Sequence, residues 1–274
     1  MVESGIAARF GRLVGIASVV GICVLAGGAL PAQAATIGLY AAPTPAGAED
    51  CSSPANACTL ATAVTSANAA TVGDSVQIKL ARGVYLLSAP EPTALEVTFE
   101  GPVAFEAPNG TATISGTKTV RPLSVGSTST VTIDGVDFEF GTTTGLGGAI
   151  ENQGTLTVRN ASFSSNVGAN GGAISSAAGS TLTVEDSTFS HNSTTSVGGG
   201  ALIVFGTATV VRSAITDNTA PVNGGGINVQ PGGSLTFSNS TAAGNVSGSL
   251  GGAFSNLGTL SVQSSTIADN TATG

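Results

Sequence analysis

His191 is the single histidine of the 274-residue chain, and imidazole is the side chain best suited to acid–base work near neutral pH. Asp217 follows it by 26 residues, and Ser165, Gly244 and Asp269 occupy the same position of a sequence repeat described below. If the repeats stack, His191 and Asp217 share a column and form a candidate acid–base pair. The plainer reading of the same placement is a solvated turn histidine beside a solvated turn aspartate. A polysaccharide lyase needs several carboxylates converging on calcium and a basic residue to take a proton. A glycoside hydrolase needs two carboxylates facing one another. Here the acids are scattered: Asp134 and Asp137 read as solvated turn residues, and Lys79, Arg82, Lys118 and Arg121 lie far before Asp217. Neither signature is present. No metal site and no cofactor is expected.

Two other sets of side chains could act. Thr155, Thr157, Thr181, Thr183, Thr207, Thr209 and Thr236 recur in Thr-x-Thr blocks and would form parallel ladders of hydroxyls and methyls on an outward face. Such a face is a candidate binding surface, although threonine is also a favoured outward strand residue. Flat threonine ladders resemble those of some β-helical ice-binding proteins. Cys51 and Cys58 are seven positions apart, with no further soft ligand nearby, and in an oxidising compartment would close a local disulfide; two free thiols are the alternative.

These residues need a frame, and a repeat supplies it. Blocks of Gly-Gly, a small residue and an apolar one begin at Gly147, Gly171, Gly199, Gly224 and Gly251. A second block follows each, as in Thr155-Leu156-Thr157-Val158 and Thr181-Leu182-Thr183-Val184. In a third, an apolar residue stands three before an asparagine: Asn166, Asn192, Asn218, Asn245 and Asn270, spaced by 26, 26, 27 and 25. Alternation within each block is the signature of a half-buried strand. One such unit cannot bury its apolar face alone, but a stack can. The prediction is an all-β fold, a right-handed parallel β-helix with coils of about 26 residues. Leu156, Leu182, Ala208, Leu235 and Leu260 would form one inward column. Val158, Val184, Val210, Phe237 and Val262 would form another, and Phe163, Phe189, Ile215, Ala242 and Ile267 a third. The asparagines are expected at turns with left-handed backbone, their amides bonding to neighbouring coils. Outward, Arg159 would face Glu185 and Asp186 would face Arg212.

Val76–Leu80, Val97–Phe99, Thr111–Ile114 and Val131–Ile133 alternate less regularly and read as earlier coils. Leu60, Ala63, Val64 and Ala67 fall at helical spacing and predict a short helix over the open end of the first coil. The expected organisation is a signal peptide over 1–34, an N-terminal cap over 35–72 with the helix and the Cys51–Cys58 link, and a β-helix over 73–274, regular from about 147. For the leader, Arg9 and Arg12 precede an apolar run from Leu13 to Leu30 and an Ala32-Gln33-Ala34 cleavage site. An uncleaved anchor is the alternative. A formal charge of −8 with only eight Lys and Arg, nowhere clustered, argues against nucleic acid as a partner.

Cys58-Thr59-Leu60, Gly73-Asp74 and Gly83-Val84-Tyr85, followed by the GGAI and Phe-x-x-Asn repeats, resemble the polymorphic outer membrane proteins and related repeat proteins of the pectin-lyase-like superfamily. The resemblance covers roughly 51–274. Ala61-Thr62 departs from the Arg-Glu usual in the capping helix of those relatives, and no translocator barrel or wall anchor follows. The resemblance implies a secreted or surface-displayed β-helix, in some relatives an adhesin. The expected function is non-enzymatic adhesion or contact with a polysaccharide or host-cell surface ligand. A diverged polysaccharide lyase or hydrolase is the alternative, and ice binding a lesser one. Outer-membrane association is one possible location; no membrane span is expected in the mature chain. The chain stops at Gly274, where the next glycine corner should begin, which leads to two alternative expectations, a fragment of a longer protein or end-to-end self-association.

Overall fold

The computed structural model describes residues 34–87 and 95–274; the expected leader lies outside them, apart from Ala34. The described part is an all-β solenoid that winds right-handed. One turn shows the plan. Ile150–Asn152 leads through a tight bend into Thr155–Arg159, then Ser162–Ser164, then the two-residue strand Val167–Gly168, and a glycine corner returns the chain to Ile174–Ser176. Each strand pairs in parallel with its counterpart one coil away, Leu156 opposite Leu182, Phe163 opposite Phe189 and Ile150 opposite Ile174. Four parallel sheets result, of nine, eight, five and seven strands. They are called below the first, second, third and fourth sheets, in the order in which the chain visits them after Asn152.

The core is the interior of the coil. Along the first sheet Leu156, Leu182, Ala208 and Leu235 are buried, as are Val158, Val184, Val210 and Phe237; in the second sheet Phe163, Phe189, Ile215 and Ala242 are. Phe138, Phe163 and Phe189 stack face to face at 5.1 and 4.5 Å. The coil that carries small Ala242 carries large Phe237, so the volume per coil is kept. Leu260, Val262 and Ile267 sit in the last coil and remain partly or largely exposed, because stacking covers one side of that coil only.

The corners divide their work between two glycines. Gly171 has φ +68°, which its missing side chain makes easy, whereas a Cβ on Gly172 would run into the carbonyl oxygen of Gly200 in the next coil.

The asparagines form a buried ladder. Nδ2 of Asn166 donates to Oδ1 of Asn192 at 2.9 Å, Asn192 to Asn218 at 3.0 Å and Asn218 to Asn245 at 2.9 Å, and each Oδ1 also accepts the backbone N–H of the preceding asparagine. Left-handed backbone, expected at the asparagines, falls instead on the residue before each: Ser165, His191, Asp217, Gly244 and Asp269 have φ of 55–66°. That kink turns the asparagine inward, where its amide replaces the hydrogen bonds of a sharp turn.

The helix forms over Leu60–Asn68 with Leu60, Ala63, Val64 and Ala67 buried, and Thr59 caps it by accepting the Thr62 N–H. Cys51 and Cys58 are disulfide-bonded. The first sheet starts earlier than the alternation suggested. Thr36–Ala41, in the segment expected as cap, pairs in register with Ser75–Leu80, and Pro102–Glu106 adds another strand. Arg159 does not pair with Glu185; its guanidinium lies 3.7 Å from Asp134 one coil earlier. Arg212 does meet Asp186, in two bonds of 2.8 and 2.7 Å.

Candidate functional site

Threonines dominate one outward surface. In the first sheet Thr155, Thr181 and Thr207 stand in one column, and Thr157, Thr183, Thr209 and Thr236 in the next. The register extends both, adding Thr130 and Thr132 before and Thr259 after, with Ser234 and Ser261 completing the columns. Side chains of one column repeat at about 4.8 Å, and the two columns stand roughly 6.6–6.8 Å apart along a strand. Where a ladder residue bonds to Asn152, it uses the Thr181 backbone carbonyl at 3.0 Å. The ten threonine hydroxyls have no protein partner among the described residues, so each keeps one donor and two acceptor positions for solvent or ligand.

His191 and Asp217 lie where the repeat places them, on consecutive steps of the turn column that precedes the asparagines, with φ of 55° each. Both are exposed. The backbone N–H of His191 donates to Thr216 at 3.4 Å, and among the described residues no side-chain hydrogen bond or ion pair joins the imidazole to the carboxylate. Asp134 and Asp137 are not equivalent turn residues. Asp137 is half-buried at the start of a second-sheet strand and accepts the Ser162 N–H at 2.8 Å. Burial pushes its carboxyl above the usual range, partly offset by that bond. Among the described residues no three metal-ligating side chains come together.

A groove of about 570 Å³ opens beside the early strands of the fourth sheet. Glu96, Ser124 and Glu151 form one column on three adjacent strands. Arg121 reaches across it: Nη1 meets Glu151 Oε2 at 2.7 Å and donates to Ser124 Oγ at 3.1 Å, while Nε donates to the Gly147 carbonyl at 3.0 Å. Gln153 donates to the other Glu151 oxygen at 3.2 Å. The Glu96 strand is held in turn by the helix. Asn68 donates to the Glu96 carbonyl at 2.7 Å and accepts the N–H groups of Thr98 and Phe99 at 2.9 and 3.3 Å.

The sequence from 144 to 274 matches a family described as a right handed beta helix region. The chain is a right-handed parallel β-helix repeat protein. No curated protein and no solved structure matches it.

The two surfaces of this β-helix differ in how they could be found. The threonine face follows from the repeat, since period two along a strand and 26 along the chain place its members. Glu96, Arg121 and Glu151 come from coils of unequal length. The one available signal was that Glu151 follows Ile150 as Ser124 follows Leu123 and Glu96 follows Leu95.

Proposed function

We propose that the protein is an exported or surface-displayed contact module that works without bond chemistry, laying a lateral face along a polysaccharide or another cell-surface ligand. The observation that carries this reading is the two-column hydroxyl array of the first sheet. It offers many equal, weak hydrogen-bonding positions on a rigid support, and contacts of that kind gain strength by being made together. The leader pattern and the Cys51–Cys58 disulfide support export, because structural disulfides persist in oxidising compartments. In a glycan-array and cell-binding comparison, the double variant Thr183→Glu with Thr209→Glu should lose at least about tenfold in apparent affinity, equal to about 1.4 kcal/mol. Equal binding by that variant removes this face from the function.

The spacing of the array favours a second reading. Tetrahedral water with O···O of about 2.75 Å places second-neighbour oxygens about 4.5 Å apart, close to the spacing between coils. Ordered water or ice would meet hydroxyls in near register along each column. Thermal hysteresis or inhibition of ice recrystallisation, abolished by the same double variant, would establish this reading. Freezing behaviour equal to that of an inert protein would remove it.

A further inference from the structure

We infer that the groove around Arg121 is a binding site for a neutral glycan chain, gripped by Glu96, Arg121, Thr142 and Thr144. The assignment rests on the contact-module reading for its ligand class, but on different residues.

The groove is local to this part of the solenoid. In later coils the column that carries Glu96, Ser124 and Glu151 continues as Ser175, Ile203 and Asn228, which are only 1–2% exposed. There the glycine corners close over it: a Cβ on Gly171 would meet Ile203, and one on Gly198 would meet Asn228. Between Glu96 and Glu151 the column is open, and what opens onto it is polar.

The groove is also organised before a ligand arrives. Glu151, Ser124 and the Gly147 carbonyl fix the guanidinium on two of its nitrogens, leaving Nη2 without a hydrogen-bond partner among the described residues. Gly145 keeps that end clear, since a Cβ there would come within 3.3 Å of Nη2. The Glu96 carboxylate and the Thr142 and Thr144 hydroxyls likewise have no protein partner among the described residues, and all three line the groove. The free Nη2 lies on the Glu151 side of the column and the free Glu96 carboxylate on the other, their strands two spacings apart, about 9.6 Å at the backbone, which suits hydroxyls on different rings of one sugar chain. Charge decides the class. Glu151 neutralises Arg121, Glu96 adds an uncompensated negative charge, and the chain carries −8 overall, so uronate, sulfate or phosphate groups would be repelled.

The test is calorimetric titration of the full chain with neutral gluco-, manno- and xylo-oligosaccharides, and with an oligogalacturonide as the acidic probe. At least one neutral series should bind. Glu96→Ala should weaken it about tenfold or more, as expected for loss of a hydrogen bond to a charged group. Gly145→Leu, which fills the space over Nη2 and removes no charged group, should weaken it comparably. Val222→Ser, at an exposed residue outside both the groove and the threonine face, should bind the same oligosaccharide unchanged. The inference is overturned if the oligogalacturonide binds more tightly than every neutral series, or if both groove variants bind like the parent. Loss of binding in the threonine-face variant alone overturns the groove and leaves the contact reading standing. If no glycan binds the parent protein at all, the groove inference falls, and the contact reading is judged by its cell-binding comparison.

Discussion

Single residues in this protein are chosen by what stands one coil above and below them. The buried asparagines show this most clearly. Along the ladder each amide donates to the next and accepts from the one before, so a polar side chain survives inside an apolar core because its partners are copies of itself. Asp137 is a less settled case. Its carboxyl is raised by burial, so the folded state holds the proton more firmly than the unfolded chain does. The cost is therefore absent at low pH, where both states are protonated, and grows as pH rises through the raised value. Asp137→Asn keeps an oxygen to accept the Ser162 N–H and removes the charge. It should raise the melting temperature at neutral pH, with the gain shrinking towards about pH 4. Thermal unfolding of the two proteins across that range checks it; a gain that does not depend on pH would show that charge burial is not the cause.

At the scale of elements, strands of two to six residues hold together only as members of a column. The second-sheet strand Thr188–Ser190 is three residues long and has one inward side chain, Phe189, stacked on Phe163 at 4.5 Å with its ring nearly parallel. Phe189→Ala removes the side chain that joins Phe163 to Ile215 in that column. It should cost about 3–5 kcal/mol, measured by denaturant unfolding. A loss below about 1 kcal/mol would mean that the coils close up around the gap. The helix Leu60–Asn68 acts through both its sides: its apolar stripe packs on the early strands, and its last residue, Asn68, ties the strand that carries Glu96.

Across the whole molecule, contacts run between neighbouring coils, and chemistry is spread over faces instead of gathered at a centre. The regular coils give a hydroxyl surface bordered by the charged column of Asp134, Arg159 and Glu185, and the irregular ones give a groove with an ion pair in it. Opposite charges elsewhere serve the stacking. Arg212 bridges to Asp186 one coil back, where its hydrogen bonds hold the aspartate below the usual carboxylate range, and Arg159 reaches Asp134 in the same direction.

The sequence by itself determined the solenoid, its period, its three inward columns, a short helix through Leu60 and Ala67 and seven threonines of the outward face. It could do so because a repeat written along the chain becomes a contact in space once coils stack, so spacing alone names the neighbours. Tertiary structure decided what spacing leaves open. It moved the left-handed turn from the asparagines to the residues before them, and gave Arg159 to Asp134 instead of Glu185. It also drew Thr36–Ala41 into the first sheet and brought Glu96, Arg121 and Glu151 to one groove. In each case the outcome depends on which way a side chain or an unequal loop swings at a corner, and no periodic signal encodes that direction.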